Sequence, residues 1–281
     1  MMNKININEN YYSWWKNIDK TILLLIISFF IAGLFFSLAS TSLIASDRLN
    51  TNSYYFFIKH LSFILVGLLI MFIFSLIKED YLIKISIFFF ILSFLLLLLV
   101  PFIGAEVKGS KRWLDLPVLP RFQPVELIKP FYIVFLAYLL NLKKYNLNVK
   151  YLLTIFLILP IILLLISQPD IGQSILIILT WLTLIFVSGV NLFIFFGLFS
   201  FFILLLLYLI LFVKKFIYIK IRILSFFDNS SNNNFQSEKA SEAIIDGGFF
   251  GKGIGEGTLN SKIPEAHTDY IVSVISEEFG I

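Results

Sequence analysis

The chain has 281 residues, of which 59% are hydrophobic and 14% are charged, and its formal net charge is +4. This composition excludes an ordinary soluble domain and indicates an integral membrane protein. Cysteine is absent, which excludes disulfides and cysteine-ligated metal ions or clusters.

Seven predominantly apolar runs are near or above the length that crosses roughly 30 Å of hydrocarbon. They cover residues 21–44, 54–77, 82–103, 124–142, 151–167, 171–190 and 192–213. The first run follows Lys16 and Lys20, is too long for the core of a signal peptide and lacks a convincing small-residue cleavage site. We therefore predict an all-α polytopic bundle at 21–213, with a retained first helix, after an N-terminal segment at 1–20.

The loop charges do not decide which end of the chain faces the cytoplasm. With a cytoplasmic N-terminus, the inner segments carry many lysines, but the outer loops carry clusters that contain Lys111, Arg112 and Lys214. This orientation needs an anionic ligand on the outer face to explain the external cations. An inverted chain is the alternative.

The loop after the third run contains Lys111, Arg112 and Trp113. Two cations beside an amphipathic ring are the composition expected of a site that binds a phosphorylated lipid. An ordinary interfacial anchor explains the same three residues, and both interpretations stay open.

Two charges lie near the start of the fourth run, after Gln123. Glu126 and Lys129 are three residues apart and therefore share one helix face. Each charge in hydrocarbon would cost about 3 kcal/mol unless it is paired or hydrated. We predict that they pair or line a hydrated cavity, that Pro124 lies in the first turn, and that Pro130 kinks or opens the helix.

A short polar break at residues 168–170 separates the fifth and sixth runs and predicts a tight reversal. Asp170 is suited to cap the helix that begins at Ile171. Capping accounts for Asp170, but it does not explain why the turn returns to the face that carries the basic loop.

Residues 214–268 form a predicted large loop. Phe216 to Phe227 alternates basic and apolar residues, which favours an amphipathic helix in the interface. The asparagine-rich residues 229–234 are typical of a flexible connector, and a second short helix is predicted around Glu238 to Ile245.

Six glycines lie between Gly247 and Gly257, but their spacing matches neither common nucleotide-binding motif and no strand precedes them. Glycines permit positive φ and close backbone approach. The segment is therefore predicted either to fold back against the membrane face or a bulky substrate, or to form a purely structural tight loop.

Asp269 precedes the last apolar segment, which we predict to be the start of an eighth membrane helix at 269–281. A carboxylate beside His267 at a membrane face can act as a general base, an effect typically worth about 100- to 10,000-fold. Alternatively, Thr268 or Asp269 caps the helix. A metal site from Glu265, His267 and Asp269 is weakly supported, because H-E-x-x-H is missing.

Several ordered segments resemble the signature blocks of the SEDS family, polytopic glycosyltransferases that polymerise peptidoglycan from lipid II. These segments are 108–113, 123–129, 168–172, 247–257, 264–270 and 277–280. The Lys129-Pro130 pair and the Gly-x-Gly-Glu-Gly run are more similar to the division branch of the family than to its elongation branch.

This resemblance implies a periplasmic active site, a cytoplasmic N-terminus and a SEDS-type bundle of ten helices. It implies that Asp269 deprotonates the acceptor sugar hydroxyl, which displaces undecaprenyl pyrophosphate from the donor with inversion. The implied substrate-binding residues are Lys111, Arg112, Trp113, Gln123, Glu126, Lys129, Asp170 and His267.

The resemblance further implies the septal inner membrane of a bacterium. The expected partners are lipid II, undecaprenyl-pyrophosphate-linked glycan, a class B penicillin-binding protein and other division proteins, without nucleic acid. No metal ligand set is implied, and a divalent cation such as Mg2+ is left open as cofactor. A lipid II flippase and a non-catalytic scaffold are the alternative functions.

The family length implies about three helices after Ile281. We therefore expect this chain to be a fragment with little activity alone, in which Glu277 and Glu278 lack the surroundings that those helices would provide.

Overall fold

The computed structural model describes residues 14–38, 54–107, 110–117, 120–227, 235–259, 262–263 and 270–280. The chain forms two compact units. One contains Met1–Leu76 together with Leu224–Ile281, and the other contains Ile77–Ile223.

The described residues are mainly helical. In chain order the elements are α1 (Lys20–Phe36), α2 (Tyr55–Ser75), α3 (Glu79–Ile103), β1 (Ala105–Val107), β2 (Ser110–Trp113), α4 (Pro124–Asn141), α5 (Leu147–Ser167), α6 (Ile171–Val187), α7 (Leu192–Phe212), a 3-10 turn (Lys214–Phe216), α8 (Ile217–Phe227), α9 (Phe235–Gly247) and α10 (Ile271–Phe279). Each of the seven predicted apolar runs overlaps one helix, and the predicted helices near 216–227 and 238–245 are also present. The polytopic helical fold is thus confirmed.

Five of the seven helices are long and apolar enough to cross a membrane by length and composition, within the residues that the structure describes. The other two, α1 and α6, have 17 residues each. Helix α3 begins three residues before its predicted start, because Glu79 and Asp80 occupy its first turn. Carboxylates there stabilise the positive end of the helix dipole although they interrupt the apolar pattern.

The core of the unit Ile77–Ile223 lies among helices α3 to α6. Its fully buried side chains include Leu97, Leu114, Ile128, Tyr132, Leu136, Ile161, Leu165, Ile177, Trp181 and Ile185. Helix α7 has no buried residue and packs on α6 through a few ring contacts, such as Trp181 with Phe202 at 5.8 Å between centroids. An apolar helix surface of this kind suits hydrocarbon solvent.

The loop after α3 contains a small antiparallel hairpin, which is not predicted from the sequence. Strands β1 and β2 pair Ala105 with Trp113 and Glu106 with Lys111. A backbone bridge between Leu114 and Phe122 then returns the chain to α4. Strands of three and four residues are too short to give an alternating pattern that can be recognised in the sequence.

The other unit contains α1, α2, α9 and α10. Asp19 caps α1 by accepting hydrogen bonds from the amides of Thr21 and Ile22. The indole of Trp14 donates to the Ser75 hydroxyl at 3.0 Å, which joins the segment before α1 to the end of α2. Helices α9 and α10 enclose a small apolar cluster of Ala240, Ala243, Ile263 and Val274.

Candidate functional site

The tight reversal between α5 and α6, residues 167–170, is here named the carbonyl turn. Asp170 is the N-cap residue of α6, and its side chain accepts a hydrogen bond from the Gln173 amide at 3.4 Å. The predicted capping role of Asp170 is therefore confirmed. The backbone carbonyl groups of this turn lie beyond the hydrogen bonds of α5 and need donors from elsewhere.

Arg112, on β2, supplies two of these donors. Its Nη2 donates to the Pro169 carbonyl at 2.5 Å and its Nε donates to the Gln168 carbonyl at 3.4 Å. The same Nε lies 3.7 Å from Asp170 Oδ2, and the Asp170 side chain is only 9% exposed. These contacts explain why the carbonyl turn and the basic loop lie together, which capping alone does not.

Two further donors come from the segment after α7. Lys215 Nζ donates to the Ser167 carbonyl, and Tyr218 Oη donates to the Pro169 carbonyl at 3.0 Å. Side chains from the hairpin, the 3-10 turn and α8 therefore all bind the same short stretch of backbone. The sequence pattern predicts an amphipathic helix for α8 but gives no signal for its binding partner.

Glu126 and Lys129 form the predicted pair, with 2.6 Å between Lys129 Nζ and Glu126 Oε2. Glu126 Oε1 also accepts a hydrogen bond from Gln173 Nε2 at 2.8 Å. Because Gln173 also binds Asp170, one polar network continues from α4 through the start of α6 to Arg112. Gln173 is not among the predicted site residues, although a polar amide inside an apolar run is a recognisable signal.

Two amide atoms add hydrogen-bonding capacity at this network. Gln168 Nε2 and Gln173 Oε1 are buried and have no hydrogen-bond partner among the residues that the structure describes. Helix α4 begins at Pro124, as predicted, with Gln123 as its partly exposed N-cap residue. The helix also continues through Pro130.

The two predicted phosphate-binding cations are in different situations. Arg112 is partly buried and engaged with the carbonyl turn. Lys111 is exposed on β2, and no carboxylate lies within ion-pair distance of it in the described part of the chain. Trp113 is half-buried beside them. Lys111 is therefore the cation of this pair that is open to an incoming anion.

The glycine segment folds against the end of α10, and the contact surface is here named the glycine cradle (residues 247–253 against 276–280). The amides of Lys252 and Gly253 donate to the carbonyls of Glu277 and Glu278 at 2.9 and 3.0 Å. A Cβ on Gly247 would lie 2.0 Å from the Ser276 carbonyl oxygen. Close backbone approach was predicted, but the backbone approached is that of α10.

Gly251 is the most restricted residue of the glycine cradle. Its φ is +69°, and a Cβ there would lie 2.3 Å from the Glu278 carbonyl oxygen. Gly253 also has a positive φ, +107°. Left-handed backbone and close packing together require glycine at such a position.

Glu277 and Glu278 are 0% and 2% exposed. Glu277 Oε1 accepts a hydrogen bond from the Leu259 amide at 2.9 Å. The expectation that both carboxyl groups lack their surroundings is therefore wrong, because both residues are already buried among the described residues.

The predicted general base Asp269 and its neighbour His267 lie outside the described residues, as does the whole candidate metal set with Glu265. Helix α10 begins at Ile271 with Tyr270 as its N-cap residue. The alternative in which Thr268 or Asp269 caps this helix also concerns residues outside the described ones. On either side of residues 264–269, Ile263 belongs to the apolar cluster between α9 and α10 and Tyr270 packs against it.

Comparison with known proteins identifies the family. Residues 19–281 match the family model for the cell cycle proteins FtsW, RodA and SpoVE. The probable peptidoglycan glycosyltransferase FtsW of Coxiella burnetii is 32% identical over 100% of this chain and 75% of its own length. The Haemophilus influenzae protein of the same name is 30% identical over 98% of this chain and 72% of its own length.

Solved structures share the fold. A chain from a peptidoglycan synthase complex that coordinates polymerization and crosslinking has a TM-score of 0.71, covering 94% of this chain and 72% of its own, at 24% identity. The rod shape determining protein RodA of Thermus thermophilus has a TM-score of 0.55, covering 68% of this chain and 60% of its own, at 25% identity. The chain therefore belongs to the FtsW/RodA/SpoVE family of polytopic membrane proteins, the SEDS family that its sequence motifs resemble.

Proposed function

We propose that this protein is an inverting peptidoglycan glycosyltransferase that polymerises lipid II into glycan strands at the division septum. The observation that carries the proposal is that nearly the whole chain aligns with relatives named probable peptidoglycan glycosyltransferase FtsW, at 28% to 32% identity. The ordered motifs of the sequence support it independently of overall identity.

In this reaction Asp269 is the general base. It accepts the proton of the acceptor GlcNAc 4-hydroxyl while that oxygen bonds to the anomeric carbon of the donor MurNAc. The bond from this carbon to the pyrophosphate oxygen breaks, and undecaprenyl pyrophosphate leaves with the bonding electrons. Attack opposite the leaving group inverts the anomeric centre, and general-base assistance contributes about 100- to 10,000-fold.

The leaving pyrophosphate requires positive charge. Lys111 is exposed and serves as the mobile cation, whereas Arg112 keeps the hairpin against the carbonyl turn. Trp113 anchors the hairpin at the membrane interface. A divalent cation such as Mg2+ would supply further charge to the pyrophosphate, and comparison of assays with Mg2+ and with a chelator tests this cofactor.

The remaining proposed residues act on the substrate directly or through the fold. Gln123 and His267 are proposed as hydrogen-bonding contacts of the sugar or phosphate groups. Glu126 joins α4 to α6 through Gln173 and pairs with Lys129, and Asp170 binds the Gln173 amide at the start of α6. These contacts are proposed to keep the polar surface in one arrangement.

The proposed setting is the bacterial inner membrane, with a cytoplasmic N-terminus and the active face in the periplasm. The external cations Lys111 and Lys215 suit this orientation, because an anionic lipid substrate lies on that face. The proposed partner is a class B penicillin-binding protein, since the structural relative comes from a complex that couples polymerization to crosslinking. Other division proteins of the membrane are further candidates.

The decisive variant is Asp269→Asn in the protein purified with its transpeptidase partner, assayed by gel separation of polymer made from lipid II. We expect a loss of at least about 100-fold in rate, because the amide cannot accept the proton. Asp115→Asn is the matched control, since it removes an exposed carboxylate that pairs with Arg121. A near wild-type rate for Asp269→Asn would show that Asp269 is not the base, and lipid translocation without polymer would favour a flippase.

A further inference from the structure

We infer that Glu277 is a positioning residue: its side chain fixes the backbone at Leu259, at the start of the stretch that leads to Asp269. The inference rests on the proposed function, since it concerns the placement of the proposed base. Glu277 Oε1 accepts a hydrogen bond from the Leu259 amide at 2.9 Å, and the residue is 0% exposed. The two residues are 18 positions apart in the chain.

The glycine cradle fixes Glu277 in turn. The Lys252 amide donates to the Glu277 carbonyl at 2.9 Å, and Gly247 is so close that a Cβ there would lie 2.7 Å from the Glu277 Cα. The backbone of Glu277 therefore has little freedom, and this backbone holds the side-chain oxygen Oε1 against the Leu259 amide. A buried carboxyl group without hydrogen bonds is unfavourable, so an apolar residue would fill this position better if packing were its only role.

The two described residues that flank 264–269 in the sequence, Ile263 and Tyr270, both contact one apolar cluster. Ile263 is 0% exposed and packs with Ala240, Ala243 and Val274, and Tyr270 packs against that cluster. Glu277 adds a polar anchor at Leu259, four residues before Ile263. Because a catalytic group that is misplaced by about 1 Å can lose about 100-fold in rate, the position of this backbone is important for a base at Asp269.

Hydrogen exchange separates this role of the Glu277 side chain from a general role in folding. In Glu277→Ala the amide of Leu259 loses its acceptor, and we expect its exchange rate to rise by at least about tenfold. The amides of Lys252 and Gly253 bind backbone carbonyls, which alanine retains, and their exchange is expected to be unchanged. Glu277→Gln keeps an acceptor oxygen and is expected to preserve the protection of Leu259.

Unchanged exchange at Leu259 in Glu277→Ala would overturn the inference. Equal acceleration at Leu259, Lys252 and Gly253 would also overturn it, because the side chain would then support the whole cradle. These amides report on Glu277 whatever the role of Asp269, so a failure of the proposed base is distinguishable from a failure of the inference.

Polymerisation kinetics complete the test in the protein with its transpeptidase partner. For Glu277→Ala we expect kcat to fall by at least about tenfold while the KM for lipid II changes by less than about twofold. Glu277→Gln is expected to restore kcat to within about threefold of wild type. Faster exchange at Leu259 with an unchanged kcat would contradict a positioning role.

Discussion

The carbonyl turn and the glycine cradle each attach a loop to the end of a helix, and they do so with different parts of the chain. At the carbonyl turn, the side chains of Arg112, Lys215 and Tyr218 donate to backbone carbonyls of residues 167–169. At the glycine cradle, backbone amides of one segment donate to backbone carbonyls of α10, with no side chain between them. The first arrangement depends on which donors are present, and the second depends on the absence of a Cβ.

This difference determines how each region responds to substitution. A lost side-chain donor at the carbonyl turn removes one or two hydrogen bonds while its neighbours remain in place. An added methyl group at Gly247 or Gly251 of the glycine cradle collides with the backbone of α10, which cannot move away without breaking its own hydrogen bonds. We therefore expect moderate losses of stability from single substitutions at the carbonyl turn. Larger losses are expected where an added Cβ in the glycine cradle meets the α10 backbone.

The largest effect is expected for Gly251→Ala. The new Cβ would lie 2.3 Å from the Glu278 carbonyl oxygen, and the residue has a φ of +69°. We expect the stability of the protein to fall by at least about 3 kcal/mol, measured as thermal unfolding in detergent. Gly248→Ala is the matched control, because Gly248 also has a positive φ, +55°, but no atom lies within 4 Å of the added Cβ.

The control is expected to lose only about 1 kcal/mol from backbone strain. Equal destabilisation by the two substitutions would mean that strain, rather than contact with α10, determines the need for glycine. Contact with the α10 backbone would then not be the reason why the glycine cradle tolerates substitution less well than the carbonyl turn.

An intermediate effect is expected for Arg112→Ala. The substitution removes the donors to the Gln168 and Pro169 carbonyls and the cation beside Asp170, at a cost of about 2 to 3 kcal/mol in stability. Arg112→Lys is expected to recover part of this loss, since lysine keeps the charge but lacks the planar fork of donors. Unfolding of both variants in detergent measures the difference.

The matched control for Arg112 is Arg121→Ala. Arg121 pairs with Asp115 at 2.6 Å, but both side chains are more than half exposed, so the loss is expected to be below about 1 kcal/mol. If the two alanine variants are equally stable, the contacts of Arg112 with the carbonyl turn contribute no more than an exposed ion pair.

The smallest effect is expected for Tyr218→Phe, which removes the hydrogen bond from the Tyr218 hydroxyl to the Pro169 carbonyl. Because Arg112 still donates to the same oxygen, we expect a loss of about 0.5 to 1 kcal/mol in thermal unfolding. Tyr208→Phe on the exposed surface of α7 is the control and is expected to change nothing measurable. If Tyr218→Phe lost more stability than Arg112→Ala, Tyr218 rather than Arg112 would be the more important donor at the carbonyl turn.

Much of the fold could be predicted from the sequence, because the length and apolarity of a membrane helix are local properties. The predicted start of a helix was less accurate where the first turn is polar. Helix α5, for example, begins at Leu147 rather than at 151, since Asn148 and Lys150 lie in its first turn. Hydropathy measures transfer into hydrocarbon, whereas a helix can begin in the interface.

At the candidate site, too, contacts between residues close in sequence could be predicted and contacts between distant residues could not. The Glu126–Lys129 pair and the Asp170 cap follow from spacings of three residues or fewer, and both predictions are confirmed. The contacts of Arg112 with the carbonyl turn join residues 56 and 57 positions apart, and no spacing rule predicts them. The hydrogen bond between Glu277 and Leu259 joins residues 18 positions apart, and no spacing rule predicts it either. The role of Asp269 stays a prediction.

The shortness of α6 has a consequence for the bilayer around it. Its 17 residues extend only about 26 Å, a few ångströms less than the roughly 30 Å of hydrocarbon. Hydrophobic mismatch of this kind either thins the lipid locally or places one end of the helix below the headgroups. If that end is the carbonyl turn, water is scarce there, and backbone oxygens at that depth need donors from within the protein.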